Sequence, residues 1–337
     1  MDELEAKMAE LNLNVHKIRK GFALVIVNKE FKYREDRNGA RADRENIMKF
    51  CKNAMFTVND IEGLKLKDTS ALKFNHNGDL ITDDLTAEEM EKFFKTISKG
   101  DFSSYDAFIC FISSHGKKGA IVGSDGETIP VEYIVDLFKP NCNGQYRTLV
   151  GKPKLFFAQN CRGPLKGEGV SEPGDDGGDD DVESDSGGVR FTVPTEADIL
   201  VAYATVERYK CYRNKETGSW FILALTQVLN KHAHNMNLTD MLAVINEVVG
   251  RMESKKGKKQ MSCFTSTLRK AVYFEAFKSS EKHPSPQESE ESHVAPLSVG
   301  SGESPAAPQE SPAAPGETPA APQESTEAPR GLPAALN

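Results

Sequence analysis

The chain has 337 residues, enough for one large domain or two smaller ones, and its apolar residues suffice for a core over residues 20–277. Its formal net charge of −8 at pH 7 argues against a nucleic-acid-binding protein, which would carry a basic surplus. The longest apolar stretches have only the length of a strand, so no membrane span is expected, and the charged N-terminus is not typical of a signal peptide.

Strand-type and helix-type patterns alternate along the chain from residue 21 onward. In chain order the patterns predict a strand at 22–27, a helix through 47–54, a helix over 86–97, a strand at 108–112, a helix at 131–138, strands at 155–158 and 199–205, helices at 220–229 and 238–249, and a strand at 268–274. Thr86 and Glu89 form a capping box that marks the start of the second helix. Apolar strands separated by amphipathic helices indicate an α/β fold, in which helices cover both faces of a largely parallel sheet.

Three segments lie outside this alternation. Residues 1–19 form a charged lead-in with apolar residues at helical spacing, and residues 168–185 carry nine carboxylates and no basic side chain. Such an acidic run stays solvated, so we predict an exposed loop at 166–190 that proteases can reach. Residues 279–337 hold 11 of the 17 prolines, and a seven-residue unit recurs there with two prolines in each copy. Two prolines per unit exclude a coiled coil, so this tail is predicted to be disordered.

The six cysteines share no CxxC spacing and are typical of reduced thiols in a cytoplasmic protein. Cys51 and Cys110 lie within apolar patterns, as buried thiols would. We therefore predict a cytoplasmic location.

A cysteine and a histidine follow two of the predicted strands. Cys161 lies in the run Gln159-Asn160-Cys161-Arg162-Gly163, and His115 lies in Ser113-Ser114-His115-Gly116. The ends of parallel strands meet at one edge of a sheet, where α/β folds bind ligands. A thiolate–imidazole pair at that edge is the minimum equipment for catalysis by a cysteine nucleophile.

These motifs resemble those of the caspases, whose local signature is Q-A-C-R-G with a histidine about 50 residues upstream. Only Asn160 departs from that signature. The resemblance covers about residues 20–277 and extends to further motifs in the expected order: Arg37 after the first strand, the run from Gly151 to Gln159, Tyr212-Arg213-Asn214, Gly218-Ser219-Trp220-Phe221 and Lys259-Gln260-Met261. It implies the caspase-like three-layer fold, with a mainly parallel six-stranded sheet, of the peptidase clan that also contains metacaspases and legumains.

The resemblance assigns catalytic roles to three residues. Cys161 would be the nucleophile, and His115 would assist its ionisation and protonate the departing amine. The backbone N–H groups of Gly116 and Cys161 would form the oxyanion hole. Taken alone, Cys161 could instead be a small buried apolar side chain, the usual fate of a free cysteine.

The substrate pocket implied by the resemblance selects aspartate. Arg37, Arg213 and Gln159 match the two arginines and the glutamine that bind the aspartate side chain before the cut. Two guanidinium groups suit a short carboxylate because they bind it bidentately and stay charged. Tyr212 and Trp220 would line the neighbouring subsites, and Asn214 would contact the fourth residue upstream. Either aromatic ring could instead belong to the core, and either arginine could be a surface charge.

The acidic loop resembles the segment at which caspase precursors are cleaved. The tetrapeptide Val182-Glu183-Ser184-Asp185 precedes a small residue, and Asp181 and Asp176 offer further sites. Cleavage after Asp185 would separate a large subunit, 20–185, from a small subunit, 186–278, with 1–19 as a short propeptide. The alternative is a loop that only aids solubility.

Three features depart from the family pattern. Asn160 replaces an apolar residue beside the nucleophile. If this position is buried, an amide without hydrogen-bond partners would cost about 1–3 kcal/mol of stability. The segment 250–260 is short and basic, which would favour acidic substrate residues at that end. The proline-rich tail follows the strand that usually forms the dimer interface.

The sequence thus predicts an aspartate-specific cysteine endopeptidase of the effector type, made as a zymogen, that takes part in apoptosis. It would need no cofactor or metal and would act as a homodimer of large–small pairs. Its partners would be protein substrates with aspartate at the cleavage position, an upstream caspase and inhibitor proteins, with no nucleic acid or membrane. The alternative is a weakly catalytic decoy that binds caspases or their substrates. A metacaspase is disfavoured because its pocket needs carboxylates where arginines occur.

Overall fold

The computed structural model describes residues 15–140, 147–168 and 194–275. The predicted cleavage sites at Asp176, Asp181 and Asp185 and the predicted disordered tail lie outside the described residues. The strands are β1 (His16–Ile18), β2 (Gly21–Val27), β3 (Thr57–Val58), β4 (Ala107–Ser113), β5 (Gly116–Lys117), β6 (Ala120–Val122), β7 (Thr128–Pro130), β8 (Lys154–Gln159), β9 (Gly167–Glu168), β10 (Ile199–Tyr203), β11 (Arg213–Asn214), β12 (Gly218–Ser219), β13 (Lys258–Lys259), β14 (Cys263–Ser266) and β15 (Val272–Phe274). The helices are α1 (Ala40–Asn53), α2 (Ala87–Ile97), α3 (Val131–Asp136), α4 (Trp220–His232) and α5 (Leu238–Arg251).

A six-stranded sheet forms the centre of the fold, in the spatial order β14-β10-β8-β4-β2-β3. Five of its strands, β2, β3, β4, β8 and β10, run parallel to one another. Only β14, at one edge, is antiparallel to its neighbour β10. Strand β2 is buried along its whole length, because both of its faces are covered. The predicted α/β fold with a mainly parallel sheet is confirmed.

Helices pack on both faces of this sheet. Residues of α1, α4 and α5 share one hydrophobic cluster with one face, and residues of α2 and α3 share a second cluster with the other face. Along β2 the alternation is strict: Ala23 and Val25 belong to the first cluster, whereas Phe22 and Leu24 belong to the second. The period of two that every strand imposes on its side chains therefore builds two separate layers of core.

The capping box predicted for the second helix is present at the start of α2. Thr86 Oγ1 accepts a hydrogen bond from the Glu89 N–H at 3.2 Å, and Glu89 Oε2 accepts one from the Thr86 N–H at 2.9 Å. None of the helices within the described ranges combines the length and the apolar character that crossing a membrane requires.

The final predicted strand, 268–274, is wrong in its bounds. The chain instead forms β14, which closes the main sheet, and then β15, which pairs in parallel with β1 in a separate two-stranded sheet. Between them, the buried carboxylate of Asp198 accepts hydrogen bonds from the backbone N–H and the guanidinium of Arg269. This charge-assisted contact holds a turn where the apolar pattern indicated continuous strand.

Candidate active site

The candidate site lies where β4 and β8 end at the same level. Ser113 at the end of β4 pairs with Gln159 at the end of β8, so His115 and Cys161 each follow two residues beyond the paired position. A Cβ atom added at Gly116 would lie 2.1 Å from the carbonyl oxygen of Cys161 and 2.8 Å from its nitrogen. Only glycine therefore allows the loop after β4 to pack so closely against the loop after β8.

His115 is oriented by a backbone carbonyl that the sequence analysis did not find. Its Nε2 lies 2.9 Å from the oxygen of Glu35, and its ring lies edge-on to Phe31 with centroids 4.6 Å apart. Because a carbonyl oxygen can only accept, Nε2 carries the proton in this contact, and Nδ1 is the basic nitrogen of the neutral ring. Burial lowers the pKa of His115 below its usual value, and nearby guanidinium groups lower it further. A backbone carbonyl leaves no mark in a sequence.

Cys161 is half-buried, and a second thiol lies beside its sulfur. The sulfur of Cys161 lies 3.3 Å from the sulfur of Cys211, and the Cys211 N–H points at the same atom from 3.4 Å. The hydrogen bond from the Cys211 thiol, opposed by burial and aided by Arg213 and Arg37, lowers the pKa of Cys161 to about 6. At neutral pH the sulfur is thus mostly the nucleophilic thiolate. The sequence motifs attribute this activation to the imidazole alone, and Cys211, two residues before Arg213, belongs to none of them.

Arg37 is completely buried, so it is not a surface charge. Its Nη1 donates to the carbonyl oxygen of Asn28 at 2.8 Å, and its Nη2 donates to Ser113 Oγ at 2.8 Å and to Asp43 Oδ2 at 3.2 Å. A guanidinium removed from water needs such partners, because an uncompensated buried charge is strongly destabilising. These contacts hold Arg37 in one orientation beneath the end of β4.

Asp43, on α1, links the segments that build the pocket. Its carboxylate accepts hydrogen bonds from Ser113 Oγ at 2.8 Å, from the Ser219 N–H at 2.6 Å and from Ser219 Oγ at 2.7 Å, in addition to Arg37. Gly218 lies at a φ of 92°, and a Cβ there would lie 2.5 Å from Asp43 Oδ1. The sequence analysis missed Asp43, although an acidic residue at position 43 shares a helical face with Ile47 and Phe50 and thus marks a buried carboxylate.

Arg213 and Gln159, the other two predicted pocket residues, differ in exposure and in their contacts. Arg213 is exposed on β11, with Nη2 3.5 Å from the carbonyl oxygen of Asp36. Gln159 is buried, and its Nε2 donates to the sulfur of Cys211 at 3.1 Å. Its Oε1 is buried without a hydrogen-bond partner among the described residues. Gln159 thus contacts the thiol beside Cys161, whereas Arg37 and Arg213 act on Cys161 electrostatically and favour its thiolate.

Tyr212 and Trp220 form a pair outside the core. Their ring centroids are 5.1 Å apart, both residues are half-buried, and neither belongs to the two hydrophobic clusters. The Trp220 N–H donates to the carbonyl oxygen of Tyr212, and the Tyr212 N–H donates to Gln260, which fixes the pair beside the pocket. Asn214 uses its side-chain oxygen to accept from the N–H groups of residues 216 and 217, so only its amide NH₂ can donate to a ligand.

Asn160 is buried and incompletely satisfied. Its Nδ2 lies 3.3 Å from the oxygen of Cys161 and 3.5 Å from the oxygen of Ala120, while its Oδ1 has no partner within the described part of the chain. The side chain thus sits beside the nucleophile as a polar group with weak support. Nowhere in the described ranges are three or more histidine, cysteine, aspartate or glutamate side chains grouped so that they could hold a metal ion.

Comparison with known proteins agrees with this geometry. The family model of the caspase domain matches residues 20–273. The chain belongs to the caspase family. It is 35% identical to caspase-3 of Bos taurus over 263 residues, which are 75% of this chain and 84% of the relative. It is 32% identical to caspase-7 of Gallus gallus over 275 residues, or 79% and 80% of the two chains. Caspase-6 of Gallus gallus is 31% identical over 271 residues, or 76% and 81%. The protein therefore carries a cysteine peptidase domain of the caspase type.

Replacing Asp43 by Ala should strongly destabilise this caspase, because Arg37 would remain buried without a counter-ion. In a chain that also carries Cys161→Ala to prevent proteolysis, we expect the free energy of unfolding to fall by about 3–5 kcal/mol in chemical denaturation. Glu45→Ala, on the same helix, is the control. It removes an exposed ion pair with Arg41 at 2.8 Å and should change stability by about 0.5 kcal/mol or less. Equal losses in the two variants would contradict the role given to Asp43.

The acidity of Cys161 can be measured from its rate of alkylation by iodoacetamide, followed on the peptide that contains it. We expect the rate to reach half of its maximum near pH 6 and to fall below that pH, because the thiolate takes up a proton. In Cys211→Ala the midpoint should move upward by about one unit, since the hydrogen bond to the thiolate is lost. Cys263→Ala is the matched control and should leave the midpoint unchanged. A wild-type midpoint near 8.5, or no shift in Cys211→Ala, would refute this account.

Proposed function

We propose that this caspase is an aspartate-specific cysteine endopeptidase of the effector type. The single observation that carries the proposal is the meeting of the loops after β4 and β8, where the backbones of Gly116 and Cys161 pack closely together at the paired strand ends. Arg37 and Arg213 favour the thiolate of Cys161 there. This arrangement supports both an ionised nucleophile and a site for a substrate carboxylate next to it.

The chemistry follows from the orientation of three groups. The Cys161 thiolate attacks the carbonyl carbon of the scissile peptide bond, and the N–H groups of Gly116 and Cys161 stabilise the resulting oxyanion. His115, held through Nε2 by the Glu35 carbonyl, takes up a proton from water at Nδ1 as the substrate binds and delivers this proton to the departing amine. Water, deprotonated by the same nitrogen, then hydrolyses the thioester and releases the acid product. In this scheme no cofactor or metal takes part.

Selectivity for aspartate rests on the unequal mobility of the two arginines. Arg37 is held rigidly by its contacts with Asn28, Ser113 and Asp43, whereas Arg213 is exposed and free to close over the ligand. The buried Gln159 amide, which donates to Cys211, would complete the pocket. A glutamate side chain is one methylene longer, so its carboxylate would overshoot a guanidinium that cannot move. Tyr212, Trp220 and Asn214 would bind residues further upstream in the substrate.

Zymogen cleavage after Asp185, with Asp181 and Asp176 as further sites, fits the way the two halves of the chain are joined. Strand β8, before the acidic loop, pairs with β10 after it over five residue pairs. Asp43 likewise joins Arg37 to Ser219, which comes from the other side of the loop. A chain cut between these elements would therefore stay assembled as a large subunit, 20–185, and a small subunit, 186–278.

The cellular setting is proposed from the family. Strand β14 is paired on one side only within the described sheet, which supports a homodimer formed along that edge. We further propose a cytoplasmic protein that acts in apoptosis on protein substrates with aspartate at the cleavage position. An upstream caspase would activate it, and inhibitor proteins would regulate it.

The test of aspartate specificity uses the purified, processed protein and a peptide containing Asp-Glu-Val-Asp. We expect turnover of this peptide and none of its Asp→Ala version, with Cys161→Ala inactive. Arg213→Lys should lower kcat/KM by about 100-fold or more, because an ammonium group cannot form the bidentate pair. Arg251→Ala, which removes an exposed arginine on α5, should leave kcat/KM unchanged. Equal turnover of the two peptides, or no loss in Arg213→Lys, would refute the proposal.

A weakly catalytic decoy is the second candidate, and the unpartnered Oδ1 of Asn160 favours it. Under the enzyme proposal, Asn160→Ala should raise the free energy of unfolding by about 1 kcal/mol and change kcat/KM by less than about tenfold. Thermal unfolding and steady-state kinetics measure the two effects. A wild-type chain that binds the aspartate peptide without cleaving it, combined with a large rescue in Asn160→Ala, would instead establish the decoy.

A further inference from the structure

A second thiol lies against the proposed nucleophile, although peptide hydrolysis needs only a hydrogen-bond donor at that position. The Cys161 and Cys211 sulfurs are 3.3 Å apart, and Cys161 also lies 3.4 Å from the nitrogen and 3.9 Å from the oxygen of Cys211. Gln159 Nε2 holds the Cys211 sulfur from the opposite direction at 3.1 Å. The two thiols are therefore aligned by neighbours on both sides.

Hydrogen bonding alone does not explain a cysteine at position 211. A serine hydroxyl would be the stronger donor to a thiolate and an equally good acceptor for Gln159. What a thiol adds is the ability to be oxidised together with a neighbouring sulfur. Formation of a disulfide requires the sulfurs to approach to about 2.05 Å. At the observed separation of 3.3 Å the two sulfurs are already in contact.

We propose that Cys161 and Cys211 form a reversible redox pair, which a peroxide closes to a disulfide and thereby switches the peptidase off. The inference rests on the proposed function, since Cys161 is inactivated only if it is the nucleophile. It assigns a modification site to the floor of the substrate pocket and makes hydroperoxides the class of reagent that acts on it.

The reaction balances in two steps. The Cys161 thiolate attacks one oxygen of the peroxide: an S–O bond forms, the O–O bond breaks, and hydroxide or alkoxide departs, leaving Cys161 as a sulfenic acid. The Cys211 sulfur then attacks the Cys161 sulfur: the S–S bond forms, the S–O bond breaks, and water leaves with the proton of Cys211. The two sulfurs together lose two electrons, which reduce the peroxide. A dithiol such as dithiothreitol reverses the change by thiol–disulfide exchange.

The acid–base state of the two groups fits their order of reaction. Cys161, whose pKa is lowered, is the thiolate that meets the peroxide first. Cys211, whose pKa is raised by its hydrogen bond to Cys161 and by burial, stays protonated and shielded until the sulfenic acid forms beside it. Capture by Cys211 would also protect Cys161 from sulfinic and sulfonic acids, which dithiols do not reduce.

The test treats the purified, processed protein with hydrogen peroxide, removes the peroxide with catalase, blocks free thiols and digests with trypsin under non-reducing conditions. Cleavage after Lys154 and Arg162, and after Lys210 and Arg213, gives the short peptides 155–162 and 211–213. We expect mass spectrometry to find these two peptides linked, at the sum of their masses less two hydrogens. Loss of activity should follow the appearance of the linked pair, and dithiothreitol should restore the activity.

Cys211→Ser supplies the comparison, with each protein scored against its own untreated activity. We expect its fraction of activity recovered after dithiothreitol to be at least about fivefold lower than that of the wild type, with Cys161 found as sulfinic or sulfonic acid. Cys263→Ser, which alters another half-buried thiol, should recover as the wild type does. Cys161 found over-oxidised or joined to a different cysteine in the wild type, or full recovery of Cys211→Ser, would overturn the inference.

The peptide map separates this inference from the proposed function. It needs no turnover, so a linked pair in a protein without aspartate-specific activity would leave the redox pair standing and refute the peptidase. An active, aspartate-specific enzyme in which the two peptides are not linked would leave the proposed function standing and refute the redox pair. If Cys211→Ser does not fold, the wild-type map still decides.

Discussion

The buried ion pair of Arg37 and Asp43 is the constraint on which the geometry of the site depends. A guanidinium with almost no access to water requires a carboxylate, and a carboxylate in the same place requires further donors. Ser113 and Ser219 supply them, from the end of β4 and from the start of α4. The pair therefore does more than balance charge. It ties the pocket to the central sheet and joins the two halves of the chain that the acidic loop separates, so that a substrate pocket built from both halves has one defined shape.

The same arginines influence the nucleophile, which makes binding and catalysis electrostatically dependent on each other. Their positive charge favours the Cys161 thiolate and opposes protonation of His115. In the proposed function, a substrate carboxylate bound by the arginines would neutralise part of this charge and would raise the basicity of His115 when a proton must be taken up. The Glu35 carbonyl meanwhile keeps the ring in one tautomer. The proposed selectivity and proton transfer would thus depend on one charge distribution rather than on separate groups.

Cys211 and Asn160 both lie beside Cys161, but one stabilises its ionised form and the other carries a buried oxygen without a partner among the described residues. Cys211 stabilises the ionised nucleophile through its thiol and its N–H, so it contributes directly to the state that reacts. Asn160 brings a buried oxygen with no partner among the described residues, and a small apolar side chain would avoid that loss of hydration. Cys211 adds a chemical property, sensitivity to oxidation, whereas Asn160 brings an energetic disadvantage that the described contacts do not offset.

The sequence by itself determined the α/β fold, the order of its elements and the two loops that meet at the site. Hydrophobic periodicity is local, and parallel strands bring their ends to one edge, so His115 and Cys161 could be placed together without coordinates. The sequence did not reveal the break between β14 and β15, because a contact across the fold, the half-exposed Arg269 with the buried Asp198, overrides the local apolar pattern. Only the tertiary structure decided the contact of Cys161 with Cys211, the carbonyl that orients His115 and the place of Asp43. Cys161 and Cys211 are 50 positions apart, His115 and the Glu35 carbonyl 80, and Asp43 and Ser219 176. Such contacts depend on packing rather than on any short pattern of residues.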